Sequence, residues 1–223
     1  DQVIRDLFTA DISRLVVDSK PLYKRIYNYI NDIDSTLAKK LHLKKGKGSI
    51  FDEYNIEEQY EKSLKRKVWM KSGAHLVIEH TEAMLVIDVN SGRFIGKKDQ
   101  EQNSLKINLE SAREIARQLR LRDIGGLIVI DFIDLQKEVN RKKVYDELRN
   151  ALKGDRAKVS LTEFSTFGLL EMTRQRIRLN LLHTVSYDCP TCNGLGRIAT
   201  PDTVLTRLEN WLKRFRKNAN DRR

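Results

Sequence analysis

Short apolar runs of strand length recur between long amphipathic segments, and this recurrence is what most limits how the chain can fold. HLVIEH (75–80) and AMLVIDV (83–89) are separated only by Thr81 and Glu82, with Gly73 ahead of them, a spacing that predicts a hairpin. LIVIDFID (127–134) is a near-continuous apolar run, the pattern of a strand covered on both faces. KVSLTEFS (158–165) alternates with period two. Between these lie two helical patterns. NLESAREIARQLRLRD (108–123) has Leu109, Ala112, Ala116 and Leu119 on one stripe, Asn108 as cap, Glu110 in the first turn and Gly125-Gly126 as stop. EVNRKKVYDELRNALKGD (138–155) is the second and closes on Gly154. Strand, helix, strand, helix, strand describes an α/β layer.

The flanks are less regular. VIRDLF and SRLVVDS read as a short helix and a strand, and PLYKRIYNYINDIDSTLAKKL as a helix with Pro21 in its first turn. Residues 39–49 carry five lysines and no acid, and their glycines point to a surface loop. Residues 56–68 alternate charge sign like an exposed helix. The tail, 205–223, is a basic amphipathic helix with Leu205, Leu208, Trp211, Leu212 and Phe215 on its apolar side, a packing or interface stripe.

Two strands end on the same anomaly. VIDVN places Asp88 and Asn90 on one strand face, and VIDFID places Asp131 at the end of an apolar run. A carboxylate within such a run is costly unless it is paired or binds a cation. Two of them suit Mg²⁺, which takes hard oxygen ligands and keeps much of its water. Helix capping or pairing with arginine explains the pattern equally well. Asp134, three residues past Asp131, points to the other side of a straight strand.

CPTC (189–192) is a sharper signal. C-x-x-C flanked by Pro and Gly is the pattern of a zinc knuckle, but a tetrahedral site needs four ligands and the chain has two cysteines. A second copy of the chain, histidines, or a redox pairing could complete it, and a homodimer sharing one zinc is the most economical. CPTCNGLG also matches the repeat of DnaJ-type chaperones, which use several copies where this chain has one. No H-E-x-x-H, G-x-S-x-G, P-loop or G-x-G-x-x-G is present, so serine-hydrolase and nucleotide-dependent readings lack support. The formal net charge of +11 favours a polyanionic partner, nucleic acid before membrane surface. No window approaches a membrane span and no secretory signal is visible, which together with the two cysteines points to a cytoplasmic protein. The chain opens DQVIRDLF, already inside a patterned segment, and reads as a fragment.

Four blocks in order, EAMLVIDVNSGRF, NLESAREIARQLRLRDIGGLIVIDFIDL, STFGLLEMTRQRIR and CPTCNGLGR, make the chain resemble the catalytic region of the RNase E/G family of bacterial endoribonucleases. The resemblance implies a partial RNase H-like subdomain over 1–68, a DNase I-like catalytic subdomain over 69–187, a zinc-link over 188–198 and the start of a small dimerisation domain over 199–223. It implies catalytic Mg²⁺ on Asp88 and Asp131 with Asn90 assisting. It implies Zn²⁺ shared by Cys189 and Cys192 with the same pair of a second chain, in a homodimer that can pair again. The implied reaction is hydrolysis of single-stranded RNA to 5′-phosphate and 3′-hydroxyl products, in RNA processing and decay. Arg93, Arg174 and Arg176 are candidate phosphate contacts, since arginine suits phosphate. Gly92 stands where the family motif has Ala. The OB-fold, the 5′-end sensor and the first RNase H-like segment of the family have no counterpart in these residues. The rival expectation is a zinc-linked dimeric RNA-binding module without turnover.

Overall fold

The computed structural model describes residues 4, 5, 8, 12–46, 48–92 and 100–220. The chain divides into two compact units, Asp1–Arg178 and Leu179–Arg223. No described helix is long and apolar enough to cross a membrane.

The first unit begins with a small parallel β-α-β element. β1 (Leu15–Val17) pairs with β2 (Leu41–Leu43) around α1 (Lys20–Ile33) and the short α2 (Ser35–Ala38). Ser19 caps α1 by accepting from the Leu22 N–H, and Pro21 sits in its first turn, where its missing N–H costs nothing. Val17, Ile26, Ile30, Ala38 and Leu41 close a small core of their own. The lysine-rich stretch 39–49 is therefore not all loop. Its Leu41-His42-Leu43 extends beside β1, because Leu41 has this core to enter. The short α3 (Ile50–Glu53) and α4 (Ile56–Leu64) follow, and the expected exposed helix stops before its last residues, which form β3.

The main sheet has six strands in the order β3-β4-β5-β6-β8-β7: β3 (Lys67–Trp69), β4 (His75–His80), β5 (Met84–Asn90), β6 (Gly126–Asp131), β7 (Val159–Leu161) and β8 (Leu169–Arg174). The predicted hairpin is present, with His75 opposite Asn90. β5 and β6 are parallel and the other pairs antiparallel, so the sheet is mixed. The parallel pair needs a crossover, supplied by α5 (Gln100–Leu121). α6 (Glu138–Leu152) packs beside it on the same face, with Ile115, Ala116, Leu119, Val144 and Leu148 buried against Leu76, Ile87, Ile128, Ile130 and Leu170.

Two expectations fail here. LIVIDFID is not covered on both faces: Ile128 and Ile130 are buried, Val129 is half-buried, and Leu127 and Asp131 are exposed. Both helices lie on one side, so among the described residues no helix covers the other side of β6. Asn108 is not a cap, because α5 begins eight residues earlier, at Gln100. Asn108 is 0% exposed in mid-helix, where its side chain binds the backbone beyond β6. Such an amide would be costly in a helix interior without that partner.

The second unit holds the short α7 (Leu181–Val185), the turn containing Cys189 and Cys192, and α8 (Pro201–Asn220). The apolar stripe expected on the tail is formed on α8, and Leu205, Leu208, Trp211, Leu212 and Phe215 are all exposed, Trp211 stacked on Phe215.

Candidate active site

Strand register explains why the two anomalous carboxylates belong together. Asp88 of β5 is the register partner of Asp131 of β6; Asp131 ends its strand, Asp88 lies two residues before the end of its own, and both are on the open face. Adjacent strands lie about 4.8 Å apart, so the carboxylates are direct neighbours. Asn90, two residues on, donates from Nδ2 to Asp88 Oδ2 at 2.7 Å. That bond fixes the carboxylate plane and leaves Oδ1 free of it.

Asp131 sits among like charges. Burial pushes the Asp131 carboxyl above its usual range, and the neighbouring charges of Asp88 and Asp134 push it further. A site that brings like charges together fits a divalent cation, and oxygen donors suit Mg²⁺; Arg66, which lines the same hollow as Asp88, is paired with Glu79. Asp134 lies past the end of β6, and its charge is still felt at Asp131.

The turn after Asp131 is held from two sides. Asn108 Nδ2 donates to the Ile133 carbonyl at 2.7 Å, and Asn108 Oδ1 accepts from the Ile133 N–H at 3.1 Å. Glu101, in the first turn of α5, accepts from the Gln136 and Lys137 N–H groups at 3.0 and 3.2 Å and from Asn140 Nδ2 at 2.7 Å. Glu101 thereby caps α6 from outside, since the N-cap residue Lys137 makes no side-chain cap.

The comparisons with known proteins agree with this architecture. The sequence model of the Ribonuclease E/G family matches residues 1–177. This chain belongs to the ribonuclease E/G family. It is 40% identical over 203 residues to Ribonuclease G of Escherichia coli (strain K12), covering 91% of this chain and 42% of that protein. It is 40% identical over 203 residues to Ribonuclease E of Haemophilus influenzae, covering 91% and 22%. Similarity to the chloroplastic Ribonuclease E/G-like protein of Arabidopsis thaliana is 39% over 214 residues, covering 95% and 21%. The chain thus spans less than half the length of the curated relatives it matches.

Within this ribonuclease E/G family chain the three arginines fare differently. Arg93 lies outside the described residues. Arg174 is not a phosphate contact: it is buried, its Nε and Nη2 donate to Asp155 at 2.8 and 2.9 Å, and Nη1 donates to the Ile124 carbonyl at 2.7 Å. Its side chain points to the covered face, as Met172 and Leu170 do. Arg176 is exposed but lies beyond the Gly126 end of β6, about 16 Å along the strand from Asp131. It lies across Gly125 and Gly126, and a Cβ on Gly125 would stand 2.7 Å from Arg176 Cγ. The glycine pair therefore makes room for an arginine; it does not end α5, which stops at Leu121, with Asp123 taking the left-handed conformation (φ 51°) just after it.

In the second unit, Cys189 and Cys192 share a tight turn in which the Asn193 N–H donates to the Cys189 carbonyl at 2.7 Å. Asn193 and Gly194 take the left-handed conformation, with φ of 47° and 83°. Hydrogen bonds from the backbone of Cys192 and Thr191 draw the Cys189 thiol below its usual pKa. Amides that favour a thiolate fit a metal knuckle. Among the described residues no three His, Cys, Asp or Glu side chains gather into a metal site, so this turn offers two ligands of a tetrahedral set.

Sequence reasoning missed Asn108, Glu101 and His75. Asn108 sat in a predicted helix as an apparent cap, and only the helix's true start reveals it as a buried clamp. His75 carried no motif, yet register places it opposite Asn90.

Proposed function

We propose that the chain is the catalytic part of an endoribonuclease that hydrolyses single-stranded RNA with Mg²⁺, leaving 5′-phosphate and 3′-hydroxyl ends, in RNA processing and decay. The observation that carries this reading is the register pairing of Asp88 with Asp131 on the sheet face away from the helices, where Asp131 feels the like charges of Asp88 and Asp134. Asp88 and Asp131 would hold the metal. Bound Mg²⁺ supplies an acidified water and neutralises charge on the phosphate. The chain's own residues do the rest. Asn90 holds Asp88 in one orientation, Asn108 fixes the turn behind Asp131, and the bare face admits an extended strand. The names of the relatives, ribonucleases G and E, support the substrate class.

The test is cleavage of a 5′-monophosphorylated single-stranded RNA by the 223-residue chain with Mg²⁺ and with EDTA. EDTA and Asp88→Asn should each abolish cutting, with melting temperature and RNA affinity nearly unchanged. An Asp88→Asn variant that cuts normally would sink the proposal.

A second reading concerns assembly. The exposed stripe of α8 and the C-x-x-C turn support a homodimer joined by one zinc. Zinc should then be found at about half an equivalent per chain, since a shared site takes four thiolates. One full equivalent per monomer contradicts it. If that dimer binds RNA but never cuts it, the chain is a binding module instead.

A further inference from the structure

The open face holds a second row of side chains beside the carboxylates. Register partners share a face, so Trp69 of β3, His75 of β4 and Asn90 of β5 form a line across three strands. The parallel line below it runs Lys67, Val77, Asp88, Asp131. Trp69 is 61% exposed, on an edge strand only three residues long. A tryptophan left this bare contributes little to packing, yet it is held in place. The His75 ring lies 4.9 Å from it, tilted by 47°, and Lys67 Nζ stands 4.3 Å from its ring centroid.

The two rings also link two hollows. Trp69 lines a groove of about 720 Å³ bordered by β3 and α5, in which Lys62, Lys65, Lys67 and Lys71 outnumber Glu110 and Glu114. His75 lines a hollow of about 370 Å³ together with Asp88 and Asn90. His75 Nδ1 is buried and has no hydrogen-bond partner among the described residues. A groove rich in lysine, an exposed indole with a tilted imidazole against it, and then Asp88 with Asp131 as its register partner are the parts of a single-strand track.

We propose that Trp69, backed by His75, is a base-stacking platform that holds a nucleotide of single-stranded RNA beside the one whose phosphate meets Asp88 and Asp131. Trp69 lies two strand spacings, about 10 Å, from the Asp88 strand, which the next nucleotides of an extended strand can span. Stacking reads the π-face of any base, so the platform binds without choosing sequence, and Lys67 answers the backbone charge. The proposal rests on the nuclease reading for its substrate, but its readout is separate.

Trp69 and Trp211 are the two tryptophans of the chain, so Trp211→Phe leaves Trp69 as its one indole. Titrating that variant with a short single-stranded RNA in EDTA should quench its fluorescence saturably. An abasic oligonucleotide of equal phosphate count should bind without quenching. Trp69→Ala in the otherwise unaltered chain should weaken RNA affinity about 10- to 100-fold and raise KM more than it lowers kcat, and Trp69→Phe should restore most of both. RNA binding, followed by anisotropy of labelled RNA, with an unquenched indole overturns the platform. So does equal quenching by the abasic strand, or a Trp69→Ala chain that binds RNA normally because the ring serves a protein contact. Quenching in a chain that cannot cut RNA supports the platform and removes the nuclease; cutting with an unquenched indole does the reverse.

Discussion

The two faces of the six-stranded sheet use alternate residues of the same strands for opposite purposes. On the covered face, Leu76, Ile78, Leu85, Ile87, Val89, Ile128, Ile130, Leu170 and Met172 are buried under α5 and α6. On the open face the same strands carry Trp69, His75, Asp88, Asn90 and Asp131. Charge is handled differently on each. Arg174, on the covered face, is held by both oxygens of Asp155, with side-chain exposures of 4% and 2%. Asp131, on the open face, is surrounded by further negative charge. Burial forces charges to be paired, because an unpaired one would be costly there. The open face tolerates unpaired charge, and so can offer it to a ligand.

The largest expected loss of stability comes from breaking the covered pair. Asp155→Ala should cost about 3–5 kcal/mol in urea denaturation, because it strands a buried guanidinium. A cost below about 1 kcal/mol would mean that the covered face tolerates bare charge too, and the contrast would collapse. The pair also sets an acid limit. Burial raises the Asp155 carboxyl, but the Arg174 hydrogen bonds, with a further one from the Ala157 N–H, outweigh this and hold it below its usual 3.8. A folded pKa below the unfolded one stabilises at pH above the unfolded value, and that contribution is lost as pH falls through the folded value. Stability should therefore decline below about pH 4, and less steeply in Asp155→Ala.

A smaller effect tests the alternation one residue at a time. Ile87→Ala should cost about 2–5 kcal/mol, while whatever remains folded still cuts RNA. Its neighbour Asp88→Asn should move stability by less than about 0.5 kcal/mol and abolish cutting. Equal destabilisation by both would show that the open face supports the fold as well.

Much of this was legible as sequence and some was not, for reasons that differ by residue. Asp88 and Asp131 were visible because each interrupts an apolar run, but their juxtaposition needed a parallel register that no local pattern states. The hairpin was legible from the two residues between its strands. β2 was hidden among lysines, and only the small core that takes Leu41 makes it a strand. The apolar run of β6 suggested two covered faces because Leu127 and Val129 read like core, whereas they occupy the open side. Arg174 looked like a phosphate contact in a motif rich in arginine, and its parity on β8 turned it inward to Asp155. Composition cannot report which way a strand faces.

Asn108 joins the two faces and is the finest probe of how they communicate. It is rooted in the helix layer, yet its two hydrogen bonds grip Ile133, two residues beyond Asp131. Asn108→Ala should cost about 1–3 kcal/mol by leaving buried backbone groups unpaired. A purely structural clamp would do only that. If Asn108 also positions Asp131, the Mg²⁺ concentration for half-maximal cleavage should rise about 10- to 100-fold, the range typical of groups that orient metal ligands. Asn108→Asp keeps the acceptor for the Ile133 N–H and loses the donor to its carbonyl, so it should fall between wild type and Ala in both measurements. Lost stability with an unchanged Mg²⁺ requirement would mean that the covered layer holds the sheet together without aiming its carboxylates.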